Sequence, residues 1–180
     1  MLVLSSKTKT IFSNEWLSLK DKGGYIFAHE SRCHGHIVAV LGWRKKKEME
    51  ILGRFEDCPA HDNGISLSSL TGGIEEKGDW DAMSLKFAQQ ELREEAGIEV
   101  DKDRFVSLGT IRPLKSSDAI IHLYSIELPD EEPVEDPEGD GSQGEVGAYC
   151  EWVSLEDAID CKDPLVHSAI LRLKNAGTNK

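Results

Sequence analysis

No two cysteines of this chain stand close together: Cys33, Cys58, Cys150 and Cys161 are scattered, and there is no CxxC pair. That spacing supplies neither a zinc site nor a disulfide framework, and it suits reduced thiols in a cytoplasmic protein. Long apolar runs are missing too. The opening Met-Leu-Val-Leu-Ser-Ser-Lys-Thr-Lys-Thr lacks the apolar stretch of a signal peptide, and Ile37 to Trp43 is too short to span a bilayer, so no membrane association is expected. Positive charge is scarce, with 21 Lys and Arg against 33 Asp and Glu and a net charge of −12. Such a surface excludes extended contact with nucleic-acid backbones or anionic lipid. A polyanionic ligand would have to arrive with metal.

What is present suffices for one domain: 180 residues, 39% of them apolar. From about Thr8 to Leu70 the pattern is one of short β-type runs, at Ile11 to Leu19, Tyr25 to His29, His36 to Trp43 and Met49 to Phe55. Arg44-Lys45-Lys46-Lys47-Glu48, between two such runs, reads as a charged hairpin tip, and the polar stretch Asp57 to Ser69 as turn and loop. Thr71-Gly72-Gly73 follows. Two adjacent glycines there imply a backbone approach that a side chain would block. A helix is predicted over Trp80 to Ala96, capped by Asp79 or Asp81 and ended by Gly97, with Leu85, Ala88, Leu92 and Ala96 as its core stripe. Strands are expected at Phe105 to Ile111, Ala119 to Leu128 and Val146 to Val153. The acidic, Pro/Gly-rich segment Pro129 to Gly144 reads as a long loop, and Pro164 to Lys174 as a C-terminal helix.

Chemistry concentrates in Gln90-Glu91-Leu92-Arg93-Glu94-Glu95-Ala96-Gly97-Ile98. Glu91, Glu94 and Glu95 stand at i, i+3 and i+4, which places three carboxylates on one helical face. Their mutual repulsion is a few tenths of a kcal/mol per pair, and a hard cation with oxygen ligands would reverse it. Together with the upstream Gly72-Gly73, this stretch resembles the second half of the Nudix hydrolase box. The resemblance implies a Nudix-type α/β/α sandwich with a mixed sheet. A β-rich leader over 1–34 would belong to the same domain as the hydrolase body over 35–180, and would offer contacts for a homodimer. It further implies that Glu91, Glu94 and Glu95 hold Mg2+ or Mn2+, that Gly72 and Gly73 lend backbone to the metal and phosphate site, and that water is driven onto a diphosphate clamped by metal. Glu91 counts among the catalytic residues as well as the ligands.

The chain departs from the box twice. Asp79 matches the first glutamate, with three extra residues between it and Gln90, and Gln90 replaces the arginine that pairs with that glutamate in the family. Outside the box, Ile51 to Glu56 and Leu67 to Gly73 look like the ADP-sugar pyrophosphatase branch, where an arginine near Arg54 contacts substrate. Pro113, fifteen positions past Ile98, has a spacing associated with ADP-ribose pyrophosphatases, although it would equally end the strand before it. Glu145 is the candidate for the glutamate that deprotonates water, with Glu138 and Glu151 as rivals.

Two weaker patterns fail. Asp136, Glu138, Asp140 and Gly141 match the start of a calcium loop, but its twelfth position is Gly147 where a glutamate is required. His34 and His36 lack a third ligand and read as ordinary strand residues. The expected activity is therefore metal-dependent hydrolysis of a nucleoside diphosphate derivative, ADP-ribose or a related ADP-sugar, giving AMP and a sugar phosphate. Alternatives are another Nudix substrate (a dinucleoside polyphosphate, NADH or a nucleoside triphosphate), a nucleotide-binding module without turnover, or an interaction protein whose acidic helix face is plain solvated surface.

Overall fold

The computed structural model describes residues 7–60, 64–134, 137 and 147–177. Its centre is the run His-Ile-Val-Ala-Val-Leu-Gly-Trp, which forms β4 (His36–Lys45). Val38, Ala39, Val40 and Leu41 are all essentially inaccessible, so this strand is covered on both faces. Alternation along it divides the core in two. Val38 and Val40 face the helix α1 (Trp80–Ala96), packing with Phe87, Ala88, Leu92 and Ala96. Ala39 and Leu41 face α2 (Leu155–Asp160) and α3 (Pro164–Gly177), packing with Ala158, Val166, Ala169 and Ile170. The result is an α/β/α sandwich.

The remaining strands are β5 (Met49–Asp57), β6 (Ile65–Ser68), β7 (Leu70–Gly73), β8 (Val106–Ile111), β9 (Ile120–Glu127) and β10 (Tyr149–Ser154). The sheet runs β10-β5-β4-β9-β8, with β6 added to β5 and β7 to β4. It is mixed: β4 and β9 are parallel, and the other pairs are antiparallel. α1 lies between β7 and β9 in the chain, providing the crossover that a parallel pair needs.

Ahead of this body, β1 (Lys9–Ser13), β2 (Leu17–Lys22) and β3 (Tyr25–Glu30) form a separate three-stranded antiparallel sheet. It is tied down through the 112–119 connection. Ala28 N–H donates to Ser116 O at 2.8 Å, Asp118 N–H donates to Ala28 O at 3.1 Å, and His29 Nδ1 lies 3.0 Å from Asp118 Oδ1.

Several local expectations need correction. The run Ile11 to Leu19 is not one strand, because the Asn14 carboxamide oxygen accepts from the N–H groups of Trp16 and Leu17 and turns the chain between β1 and β2. Asp57 to Ser69 is not all loop, since Ile65–Ser68 extends the sheet beside β5. Arg44 does not belong to a solvated tip. It is buried, ion-paired with Glu50 and Glu132, and lies 4.2 Å over the Trp152 ring.

Candidate functional site

α1 begins and ends by local chemistry. Asp79 accepts from Asp81 N–H at 3.0 Å as the N-cap, and Gly97 closes the helix in the left-handed region at φ 66°, its N–H returning to Arg93 O. With Leu92 turned into the core, the helix carries Glu91, Glu94 and Glu95 toward β5 and β7. The Glu95 carboxyl goes deepest and is only 6% exposed. There it accepts from Thr71 N–H at 3.1 Å through Oε2, while Oε1 lies 3.3 Å from Arg54 Nε. Arg54 is itself buried and also pairs with Glu56, Nε to Oε2, at 3.0 Å.

Burial drives the Glu95 carboxyl well above the ordinary carboxylate range; Arg54 and the Thr71 N–H oppose this, and Glu91 and Glu56 add to it. Burial also penalises the Arg54 charge, but Glu95 and Glu56 outweigh that and keep the guanidinium protonated. One arginine thus serves two carboxyl groups, Glu56 and Glu95, while Glu91 stands close enough to raise Glu95 further. A divalent cation with oxygen ligands is the group such a donor set suits.

The glycines explain themselves here. A Cβ on Gly72 would lie 1.7 Å from Glu91 Oε1, so the Glu91 carboxylate occupies the space a side chain would fill. At Gly73 a Cβ would meet Cys33 Cβ at 2.8 Å. Cys33 is buried in that packing, and burial, with Glu30 adding, pushes its thiol up to about 11. It is a packing residue rather than a nucleophile. β7 is held in turn by Asp163, which accepts from the N–H and Oγ of Ser69 at 2.7 and 2.6 Å and, through its other oxygen, from Leu165 N–H at the start of α3.

Arg54, Gly72, Gly73, Glu91, Glu94 and Glu95, all selected from sequence, line one cavity of about 410 Å³. Pro113 does not. It follows β8 in the connection that supports the leader sheet, where it acts as the end of a strand. Glu145 and its rival Glu138, like most of the calcium-loop pattern, lie outside the described residues; Glu151 is described, on β10. The sequence reading missed Glu56, Thr71 and Arg32, which also line the cavity. Glu56 was recoverable, since it stands two residues after Arg54 on a strand and therefore shares its face. Arg32 comes from the leader, where it pairs with Glu75 at 3.4 Å. Gln90, at the departure from the box, donates to Glu94 Oε2 at 3.2 Å, and Glu94 also pairs with Arg93. Among the described residues no three His, Cys, Asp or Glu side chains converge as a ready metal cage. Glu94 would have to leave Arg93 and Gln90 to join one.

The backbone arrangement that positions these groups is shared with known structures. Over 96% of this chain and 92% of the other, it superposes on a crystal structure of an ADP compounds hydrolase, with a TM-score of 0.60 and 13% sequence identity. The fold is shared with that hydrolase. A chain in the crystal structure of the complex between the C-terminal domain of mouse MUTYH and human PCNA is also similar, over 79% of this chain and 89% of that one, with a TM-score of 0.54 and 11% identity. No protein-family model and no curated protein matches the sequence.

Proposed function

We propose that the chain is a Nudix-type, metal-dependent hydrolase that cleaves the diphosphate linkage of a nucleoside diphosphate derivative, with ADP-ribose or a related ADP-sugar as its substrate. The observation that carries this reading is the meeting of Gly72 with Glu91. A backbone stripped of its side chain accommodates a carboxylate, beside a second, buried carboxyl and an arginine. Structural ion pairs do not need that clearance, whereas a site that brings carboxylates, backbone and phosphate together does. The shared fold with an ADP compounds hydrolase supports the same substrate class.

In this reading Glu91, Glu94 and Glu95 hold Mg2+ or Mn2+, aided by the Gly73 backbone. When bound, the metal would polarise the diphosphate and lower the pKa of water. Arg54 orients Glu95 and supplies positive charge toward the phosphates. Thr71 N–H fixes the second Glu95 oxygen, so the carboxyl cannot rotate away from the cavity. Glu145 remains our candidate for removing a proton from the attacking water. The exposed apolar residues of the leader, among them Phe12, Trp16 and Tyr25, favour pairing with a second copy, which sedimentation at several concentrations would test.

The test of the activity is phosphate release, after phosphatase coupling, from ADP-ribose, ADP-glucose, NADH, diadenosine polyphosphates and nucleoside triphosphates with magnesium or manganese. Production of AMP and ribose phosphate from ADP-ribose is expected. Cleavage of another substrate alone would move the assignment within the family. Tight ADP-ribose binding without hydrolysis would favour a binding module, the reading to which Gln90 and the pairing of Glu94 with Gln90 and Arg93 lend weight.

A further inference from the structure

Gln90 also lines a second cavity, of about 640 Å³, between α1 and the 99–104 segment that follows it. In a chain with 21 basic residues against 33 acidic ones, this cavity reverses the balance: Lys86, Arg93 and Arg104 line it against Glu99 and Asp101. Lys86, Gln90 and Arg93 stand at i, i+4 and i+7 and so share one face of α1. Gln89 Nε2 donates to Val100 O at 2.7 Å and ties that helix to the opposite wall. Arg104, on that wall, is held firmly. Its Nη2 donates to Glu127 O and its Nη1 to Glu131 Oε1, both at 2.6 Å. Arg93 is held loosely. Its partner is the adjacent Glu94, Nη2 to Oε1 at 3.1 Å, and the Arg93 side chain is half exposed. Neighbouring helix positions point about 100° apart, so such a pair is poorly aligned, and ion pairs this open to water are weak. Glu94 is the residue that the carboxylate site needs and that Arg93 and Gln90 now occupy.

We infer that this cavity binds a phosphoryl anion, and that the anion frees Glu94 for the carboxylate site by drawing Arg93 and Gln90 away from it. The inference rests on the reading of Glu91, Glu94 and Glu95 as metal ligands. A guanidinium carries more N–H donors than one carboxylate oxygen can use, and its planar fork matches phosphate oxygens. A phosphoryl group between the two walls would therefore meet Arg93 from α1 and Arg104 from the far side at once. The Gln90 carboxamide can turn to donate to the same anion. Glu94 then loses both partners while keeping its place on the Glu91 face of the helix, with its charge uncompensated and available to a cation. The coupling is reciprocal, because a cation that takes Glu94 releases Arg93 to the anion. The volume falls within the range of small-molecule sites, so a phosphorylated small molecule fits as well as the free ion.

The test uses full-length protein. Inorganic phosphate is titrated calorimetrically into the metal-free wild type. Mn2+ affinity is then read by spin resonance with phosphate and with chloride at equal ionic strength, and a protein-free reference corrects for Mn2+ taken up by phosphate in solution. Phosphate is expected to bind and to raise Mn2+ affinity about fivefold or more, the low end of ordinary coupling between sites. Arg104→Gln should lose this rise while its Mn2+ affinity in chloride stays within about twofold of wild type; Lys86→Gln serves should that variant fail to fold. Arg93→Gln should show the raised affinity already, with no further gain from phosphate. Ribose 5-phosphate and AMP replace phosphate in a second series. A rise as large with either assigns the cavity to a phosphorylated product, and a rise with inorganic phosphate alone assigns it to the free ion. A rise that survives in both Arg104→Gln and Lys86→Gln would put the anion on the metal itself and overturn the site. So would a wild type that binds no phosphate, or whose Mn2+ affinity phosphate leaves unchanged. Coupling in a chain that hydrolyses no diphosphate keeps the inference and sinks the hydrolase reading; hydrolysis without coupling does the reverse.

Discussion

Glu95 and Gly72 do different work, and substitution separates them. Glu95 is enclosed by Arg54 and the Thr71 N–H, so Glu95→Gln preserves shape and most hydrogen bonding while removing the carboxylate that the proposed metal would use. If metal clamping supplies several kcal/mol of the barrier reduction, turnover should fall by about 10³-fold. Near-normal turnover would remove Glu95 from the mechanism. Gly72→Ala acts by displacement. Its Cβ would collide with the end of the Glu91 side chain, a flexible group able to move, so the fold should survive while the carboxylate leaves its place. The expected outcome is a melting temperature within a few degrees of wild type and activity reduced by about 10²-fold or more, the loss of one well-placed electrostatic group. Gly73→Ala meets the Cβ of Cys33 instead and should show its cost in stability.

At the scale of elements, the sequence announced α1 with its bounds because every signal was local: an aspartate cap, an apolar stripe and a terminal glycine. β6 was hidden because Ile65-Ser66-Leu67-Ser68 is short and half polar, and only its pairing with β5 makes it a strand. α2 was missed for a similar reason, since its Ser154 cap serves only one and a half turns. The clustering of Arg54 with Glu95 was legible only through family resemblance; nothing in the spacing of residues so far apart announces contact. Neither did spacing reveal the joint between β4, β9 and α1. There His36 Nδ1 lies 3.0 Å from His122 Nε2, and His36 stacks on Trp80 with centroids 3.7 Å apart. Burial first, then His122, His34 and Arg112, hold His36 below the ordinary histidine range, with Asp118 opposing. Burial likewise lowers His122, with Asp81 opposing. Both folded pKa values lie below the unfolded value of 6.5, so the unfolded chain takes up protons first as pH falls. The contribution of this pair is therefore complete above about 6.5 and declines below it. Thermal melts between pH 8 and pH 5 should show a loss of stability that His122→Gln reduces; an identical pH profile in that variant would refute the role.

Over the whole molecule, the excess of acidic residues favours cations over anions as ligands, and the Mg2+ or Mn2+ site proposed above would bind its cation in the folded chain alone. A cation at about a hundred times its Kd stabilises by about 2.7 kcal/mol, which in a chain of this size raises the melting temperature by about 5–10 °C. Millimolar magnesium or manganese should produce such a rise in the wild type and much less in Glu94→Gln. A rise equal in both would assign the effect to general charge screening. No helix among the described residues is long and apolar enough to cross a membrane.

The parallel pairing of β4 with β9 also sets a timetable. His36 aligns with Ile120 and Trp43 with Glu127, so the two central strands meet only after about eighty intervening positions have been gathered in. Until then the run Val38 to Leu41 can pair with β7 and pack on α1, but its other edge stays open. A pairing this non-local slows folding toward milliseconds or seconds, and an uncharged, apolar strand with one open edge invites pairing between chains in the meantime. Refolding from denaturant should therefore lose yield as protein concentration rises. The strand that gives the sandwich its centre is also the one most exposed to error while the chain assembles.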